Sequence, residues 1–150
     1  VIGRSSVMDT FPPGSMTSTH TGNPVCCAAA LASVRKILSE DLTGNAARLG
    51  SVLLAGLKRI QEKHPEVVGH VAARGLVGGL QVVKPGKKEP NHDLAHSIVE
   101  RCFHKGLLLF SPVGAWGQTV KIAPPLTISK AALEEGLSVL EESVREAVTF

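Results

Sequence analysis

The stretch VVGHVAARGLVGGLQVV, residues 67–83, decides the fold. Residues 67–73 and 76–83 are two β-rich runs, and Arg74-Gly75 separates them. Short runs that are rich in Val and bounded by a glycine-containing break are typical of β-strands. Gly78-Gly79 lies inside the second run, where glycine indicates a bulge or a close backbone approach. We therefore predict two strands here.

Helical periodicity flanks the two strands. Residues 45–63 predict a helix that Pro65 ends, because an apolar residue recurs every three or four positions. Residues 93–105 predict another, with Gly106 in the position that helix ends favour for glycine. Ser129 caps a last helix, which carries one apolar stripe. The apolar positions that define these helices are Leu49, Leu53, Leu57, Ile60, Leu94, Ile98, Val99, Leu133, Leu137, Leu140, Val144 and Val148.

The N-terminal part has a different character. Residues 5–23 are rich in Gly, Pro, Ser and Thr without a sustained period, which predicts a long loop, and such loops are usually functional or disordered. Asn23 can cap a helix that begins at Pro24, because a missing N–H costs nothing at the first helical position. The helix runs to about Glu40. Its half at residues 26–32 is small and apolar, so we expect close packing on several sides.

Two further apolar runs complete the fold prediction. Residues 107–110 are continuously apolar, which is typical of a buried strand, and residues 120–123 form another run that Pro124-Pro125 closes. The predicted order is a long loop, two helices, two strands, then helix, strand, strand and helix. This order favours an α+β fold in which helices cover a small, largely antiparallel sheet.

Composition limits the functional classes. Charged residues make up 19% of the chain, below the ~25% of typical domains, so we expect its surface to meet another protein surface. The net charge of +3 is scattered except for Lys84, Lys87 and Lys88 in a Pro/Gly turn, which does not indicate nucleic-acid binding. Because no apolar run reaches the ~20 residues that cross a bilayer, we expect no membrane span.

Cysteine usage and the first residue bear on the compartment and on completeness. Cys26, Cys27 and Cys102 lack CxxC spacing, so we interpret them as small buried thiols of a cytoplasmic protein. No signal peptide or transit peptide is evident. The chain begins with Val1 in a strand-like run, so we interpret it either as cut from something longer or as encoded without its usual beginning.

The segment with the clearest chemistry is MTSTHTGNP, residues 16–24, which brings hydroxyl groups and glycine to a helix N-terminus. Backbone N–H groups and short hydroxyls at such a place can donate to a phosphate, and the helix dipole favours an anion. The same residues could instead form an elaborate cap with Ser/Thr turns, which residue chemistry alone favours.

Five motifs in order carry a resemblance to a known family. Ser18-Thr19-x-x-Gly22-Asn23-Pro24 before an Ala-rich helix is similar to the segment after the lysine region of class III aminotransferases, which depend on pyridoxal phosphate. The 4-aminobutyrate aminotransferase and dialkylglycine decarboxylase types belong to this family. The other four motifs are residues 45–50 with 54–57, the Arg-Gly-Leu strand at 74–79, the turn at 105–108, and residues 120–128, which resemble an Arg-x-x-Pro-Pro-Leu element.

The resemblance implies the C-terminal small domain of a type-one pyridoxal-phosphate transferase fold. Residues 1–23 would be the interface and cofactor-phosphate loop from the end of the large domain, residues 24–40 a connecting helix and residues 41–150 the small domain. It also implies a homodimer in which both chains contact each cofactor. Thr19, with Ser18 beside it, matches the residue that binds the cofactor phosphate of the partner subunit.

The departures from the family also matter. The lysine that carries the cofactor and the aspartate that pairs with its ring nitrogen precede this chain in the family, so we expect no catalytic residue here and an inactive chain. Cofactor binding is expected of the longer parent, not of this chain alone. The following lysines fall on helices or at their ends and are expected to be ordinary surface residues: Lys36, Lys58, Lys63, Lys105 and Lys130.

Lys121 is the candidate substrate-binding residue. It stands where most relatives place an arginine that grips the substrate carboxylate through two parallel hydrogen bonds, and lysine lacks that fork. Either the acid group is held by a point charge, or carboxylate recognition is relaxed or lost. A strand lysine that points to solvent is an equal alternative on residue chemistry.

Three other features of the sequence bear on function. Ala72-Ala73 replaces a pair that is often Arg-Gly in the family, which leaves Arg74 a structural role. His92 and His96 at i, i+4 share a helix face, but no third ligand is evident, so we predict no metal site. His20, beside Thr19, is expected to pack on the partner chain.

Two hypotheses from different classes follow. The first is a fragment of a transaminase that moves an amino group from an amino acid or amine to a 2-oxo acid, and the sequence leaves open a decarboxylating variant of the dialkylglycine type. The second is a freestanding, non-catalytic binding or dimerisation module derived from that fold.

Overall fold

The computed structural model describes residues 3–12, 14–15, 18–19 and 22–149 of the chain. The chain divides into two compact units, Val1–Glu40 and Asp41–Phe150, and each is described by itself. The first unit contains α1 (Ser5–Met8) and α2 (Pro24–Ser39). The second contains α3 (Leu42–Lys63), β1 (Val68–Arg74), β2 (Val77–Val82), α4 (His92–His104), β3 (Thr119–Ile122) and α5 (Lys130–Thr149).

The start of α2 agrees with the prediction. The Asn23 side chain accepts hydrogen bonds from the backbone N–H groups of Val25 and Cys26, at 2.9 and 3.3 Å, and Pro24 is the first helical residue. The expected uninterrupted loop from residue 5 is wrong, because α1 forms one turn closed by the Arg4 carbonyl. A single turn is too short to produce a detectable period.

The expected close packing of α2 is not found within the described chain. None of its residues is buried, and its small and apolar side chains, including Cys26 and Cys27, are exposed. The prediction of three buried thiols is therefore correct only for Cys102. Small size and hydrophobicity permit close packing, but the partner surface has to be supplied by another part of a structure.

In the second unit, α3 begins earlier than predicted. Asp41 adopts a left-handed conformation with φ of +47° and accepts a hydrogen bond from the Gly44 N–H at 3.2 Å, so the helix includes Leu42. The other caps are confirmed. Ser129 Oγ accepts from Ala132 N–H at 3.2 Å. Gly106, with φ of +84°, lets Leu107 N–H reach the Cys102 carbonyl at 2.9 Å and ends α4.

The sheet has three antiparallel strands in the order β1-β2-β3. Gly75, with φ of +55°, lies in the two-residue connection of the first hairpin, where Arg74 pairs with Val77. The register shifts between Val68 and His70, so the irregularity lies in β1 and not at Gly78-Gly79. The alternative for that pair, a close approach, is confirmed at Gly78, whose added Cβ would lie 3.0 Å from Leu57 Cδ1.

The core lies between one face of the sheet and the helices. Burial alternates along β2 and β3, as expected for strands with one covered face. Helix α3 packs on β1 and β2, α4 packs on β2 and β3, and α5 packs on both helices. The largest fully buried side chains are Leu53, Leu57, Ile60, Leu80, Ile98 and Leu140. Val148, which the predicted stripe of α5 included, is partly exposed.

The strand predicted at residues 107–110 is not present. Leu107 and Leu109 are half-buried against the core, whereas Leu108 is 78% and Phe110 58% exposed. The segment does not pair with a described strand. A continuous apolar run does not distinguish a buried strand from an extended segment that uses alternate side chains to cover the edge of a core.

Ion pairs join the helices outside the core. Glu141 on α5 accepts from Arg59 Nε at 2.9 Å and also contacts Lys63 Nζ, so it links α5 to α3. These two cations, Lys63 first, hold the pKa of Glu141 below its ordinary value despite some desolvation. Lys105 contacts Glu146 and Glu142 at 3.0 and 3.1 Å and links α4 to α5. Among the described helices, none is both long and apolar enough to cross a membrane.

Two helical glycines should respond in opposite directions to alanine. At Gly50 an added Cβ would lie 2.7 Å from Gly75 Cα, which is backbone and has little room to move. We expect Gly50→Ala to lower the free energy of unfolding by about 1–3 kcal/mol. At Gly136 the nearest atom is Leu107 Cδ1 at 3.5 Å, so Gly136→Ala should raise stability by about 0.5–1 kcal/mol through helix propensity. Urea denaturation followed by circular dichroism measures both. Equal stabilities would contradict the close contact at Gly50.

The ion pairs of Glu141 should make part of the stability depend on pH. The folded-state pKa is lowered, so its contribution is fully present above the ordinary glutamate pKa of ~4.3 and is lost as pH falls through the folded value. We expect Glu141→Gln to lower the free energy of unfolding by about 1 kcal/mol at neutral pH and by nothing in acid. Glu135→Gln on the same helix is the control, because Glu135 is exposed. A difference that persists in acid would contradict this explanation.

Candidate functional site

The first candidate group lies before α2. Ser18 and Thr19 are exposed, Gly22 adopts φ of +80°, and Asn23 follows directly as the helix cap. Positions 16, 17, 20 and 21 lie outside the described residues, so the expectation that His20 packs on a partner chain concerns a residue beyond this description.

The first-turn N–H groups of α2 have hydrogen-bond partners within the chain. Asn23 Oδ1 accepts from Val25 N–H and Cys26 N–H, and the Asn23 carbonyl accepts from Cys27 N–H at 2.9 Å. Pro24 has no N–H. The N–H groups of the first turn are therefore already used, which differs from the expectation that they would donate to an anion. Among the described residues of this loop, the side-chain hydroxyls that could donate to a phosphate are those of Ser18 and Thr19, and the positive end of the helix dipole favours the anion.

This donor set is chemically suited to a phosphate. Both hydroxyl side chains are exposed to solvent. The cap of α2 itself is supplied by Asn23. Short hydroxyls next to a helix N-terminus satisfy the acceptor oxygens of a phosphate without adding negative charge.

The second candidate, Lys121, lies in the middle of β3 and pairs with Gly79. Its neighbours Val120 and Ile122 are buried, and Lys121 itself is half-buried. The Nζ atom lies 5.3 Å from the centre of the Phe110 ring. Lys121 therefore does not extend freely into solvent, in contrast to the alternative of a solvent-facing strand lysine.

An apolar groove of about 360 Å³ lies beside Lys121. Its walls are the segment 107–110, the stretch 121–125, Ile128 and the α5 face that includes Leu133, Leu137 and Leu140. Lys121 is the one charged residue among the described residues of this lining. A ligand with an apolar body and one acid group would find complementary surfaces here.

The sequence-predicted site residues are divided between the units. Ser18 and Thr19 belong to the first unit and Lys121 to the second, and each unit is described by itself. Phe110 was not predicted as a site residue, because it and Lys121 are distant in the chain and no motif links them. The backbone N–H and carbonyl groups of Val113 and Thr119 exchange hydrogen bonds of 2.9 Å, which fold the intervening loop back.

The remaining candidates lack the features of a reactive site. Arg74 is exposed at the end of β1. The His92 and His96 rings stack 6.2 Å apart, and no set of three His, Cys, Asp or Glu side chains within the described ranges could hold a metal. Contacts with Glu146 and Glu142 raise the pKa of Lys105, whereas a lysine nucleophile needs a lowered pKa. Burial raises the pKa of the Cys102 thiol, which opposes formation of the reactive thiolate.

Comparison with known proteins gives a consistent result. The family model described as aminotransferase class-III matches residues 1–144. The 5-aminovalerate aminotransferase of Pseudomonas putida is 36% identical over 146 residues, which are 97% of this chain and 34% of the relative. The leucine/methionine racemase of Thermococcus litoralis is 37% identical over 147 residues, 97% of this chain and 32% of the relative.

A solved aminotransferase from Bacillus anthracis has a similar fold over most of this chain. Its TM-score with this chain is 0.78 at 30% sequence identity, over 88% of this chain and 30% of that structure. The chain therefore spans about a third of the length of the relatives that it matches.

Proposed function

Because the chain belongs to the class-III aminotransferase family, we propose that it is the C-terminal part of a pyridoxal-phosphate-dependent aminotransferase. The observation that carries the proposal is the family match over residues 1–144, which includes both candidate groups. The predicted family and the α+β small-domain fold are confirmed. The proposed activity is the transfer of an amino group from an amino acid or amine to a 2-oxo acid.

In this proposal the first unit serves the cofactor. The hydroxyls of Ser18 and Thr19 donate hydrogen bonds to the cofactor phosphate of a partner subunit, and the dipole of α2 adds favourable potential. The exposure of both side chains supports this role, since neither is buried within its own unit. When bound, the cofactor supplies an electron sink for carbanion chemistry. The residues of this chain only hold and orient it.

The second unit is proposed to bind the substrate. Lys121 presents a single ammonium group to the substrate's acid group, next to an apolar groove that can accept the rest of the molecule. Lysine acts as a point charge and lacks the two parallel hydrogen bonds of arginine, so the acid group is less constrained in orientation. The relatives include a 5-aminovalerate aminotransferase and a leucine/methionine racemase, so the proposed substrate is given as a class, an amino acid or amine.

The lysine that carries the cofactor is proposed to lie in a large domain outside this chain. A homodimer built from both domains would cover the exposed face of α2, which has no buried residue in the described chain. That same exposure also suits the second candidate, a freestanding dimerisation module, and the decarboxylating variant stays a further alternative. Reading the coding sequence upstream of Val1 for an in-frame, lysine-bearing large domain distinguishes the module from the fragment. Cytoplasmic location stays a prediction.

The chain alone should not retain the cofactor covalently. We expect that pyridoxal phosphate added to the 150-residue chain is removed by dialysis and leaves no visible absorbance from lysine-bound cofactor. The reason is that the family's cofactor-bearing lysine is expected to lie in the large domain outside this chain. A strong band that survives dialysis would show that the nucleophile lies within this chain.

In the longer protein, Thr19 should contribute to cofactor affinity. We expect Thr19→Val to raise the dissociation constant for pyridoxal phosphate by about 10- to 100-fold, because a hydrogen bond to a charged group is lost. Thr19→Ser keeps the hydroxyl and should restore most of the affinity. Thr43→Val is the matched control on the exposed surface of α3. If Thr19→Val bound the cofactor as tightly as Thr43→Val, the phosphate assignment would be wrong.

A further inference from the structure

The environment of Lys121 has a feature that the proposed function does not use. Its Nζ atom lies over the ring of Phe110 at 5.3 Å from the ring centre, within the ~6 Å range of a cation–π contact. The two residues come from different parts of the second unit, β3 and the unpaired segment 107–110. The contact is therefore a product of tertiary structure.

The partner of this ammonium group is an aromatic ring and not a carboxylate. Lys36, Lys63 and Lys105 each contact a glutamate, and so do Lys84, Lys87 and Lys130. Lys121, like Lys58 and Lys88, forms no ion pair with any carboxylate of the described residues, and its ammonium group lies over the Phe110 ring instead. An aromatic face attracts a cation without neutralising its charge. The charge of Lys121 thus stays available to an incoming anion.

The groove makes the position of this cation important. Apart from Lys121, the described lining is uncharged and mostly Leu, Ile, Pro and Ala. A lysine side chain has four rotatable bonds, and an unrestrained ammonium would spend most of its time in water. Contact with Phe110 would restrict the rotamers of this lysine, which is part of the groove lining.

The backbone fixes the location of the ring. Phe110 precedes the loop that the paired Val113 and Thr119 close, and Thr119 begins β3. Leu107 and Leu109 anchor the segment on the core, while Phe110 is 58% exposed. Because Phe110 is largely exposed, its ring contributes little to the core and is free to contact the Lys121 ammonium group.

We propose that Phe110 is a positioning residue that holds the Lys121 ammonium over its ring, ready to meet the acid group of a substrate at the apolar groove. The inference rests on the proposed substrate-binding role of Lys121. Phe110 acts through Lys121 and supplies no group to the reaction itself. By restricting the ammonium group, Phe110 compensates in part for the two parallel hydrogen bonds that an arginine would supply and a lysine lacks.

The contact can be tested without any substrate. Reductive methylation with ¹³C-formaldehyde labels the lysines of the chain and keeps their positive charge, and Lys121→Arg identifies the Lys121 signal by its loss. We expect the Lys121 methyl signal to be shifted upfield by the Phe110 ring in the unmodified sequence and in Phe110→Tyr. It should move to the position of exposed lysines in Phe110→Leu. Phe103→Leu is the matched control, because Phe103 on α4 is 60% exposed and should leave the signal unchanged.

Two outcomes of this measurement would overturn the proposal. One is a Lys121 signal without an upfield shift in the unmodified sequence. The other is an upfield shift that persists in Phe110→Leu. That result would assign the shift to another ring, such as Trp116 in the loop between Val113 and Thr119. Since Phe110 is exposed, the leucine variant should fold, and the unchanged signals of the other lysines verify this.

The functional consequence is tested in the longer protein that carries this chain. With an acid-bearing substrate, Phe110→Leu should raise KM about two- to five-fold without changing kcat, and Phe110→Tyr should restore KM. An amine substrate without an acid group should be unaffected. If Lys121→Ala raises KM and Phe110→Leu does not, the positioning role of Phe110 is wrong. If neither raises KM, the proposed carboxylate site at Lys121 is wrong, and the positioning role fails with it.

Discussion

The packing of α3 on the sheet is the constraint on which the second unit depends. Leu53, Leu57 and Ile60 are fully buried, and the first two reach the sheet at Gly78, where a side chain would leave about 3 Å to their methyl groups. The same helix places Gly50 against Gly75 of the hairpin connection. Two close approaches between α3 and the hairpin, each permitted by glycine, set the distance between helix and sheet.

This packing also determines where the candidate substrate residue lies. β2 is held under α3, and β3 pairs with β2 in a register that sets Lys121 opposite Gly79. Val120 and Ile122 are buried on either side of it, so the alternation of the strand turns the Lys121 side chain away from that buried face. The ammonium then meets Phe110, which the closed loop has returned to the edge of the sheet. A rigid core thus supports a cation on an otherwise apolar groove.

The first unit differs from the second because its main helix is capped locally but has no buried core. Its main helix is defined by local capping at Asn23 and has no buried residue in the described chain, whereas the second unit has a complete core of its own. An apolar helix without cover is stable in solution only when another surface packs on it. The chain matches about a third of the length of these relatives, which are longer proteins.

The sequence by itself determined the features that depend on residues near one another in the chain. The stripe of α3, the caps at Asn23, Ser129 and Gly106, and the two strands around Arg74-Gly75 follow from period and local hydrogen bonding. The order of motifs also identified the family and indicated Ser18, Thr19 and Lys121 as candidates, whose roles stay predictions.

Only the tertiary structure decided the features that depend on distant atoms. Residues 107–110 do not form a strand of the sheet. The sequence could not show this, because an apolar run carries no information about whether a neighbouring strand will pair with it. The position of the irregularity in β1 depends on the register of this strand with β2. Whether the N–H groups at the start of α2 are free to donate depends on the geometry of the Asn23 cap. The contact between Phe110 and Lys121 exists because a loop closes between them, and no spacing rule contains that closure.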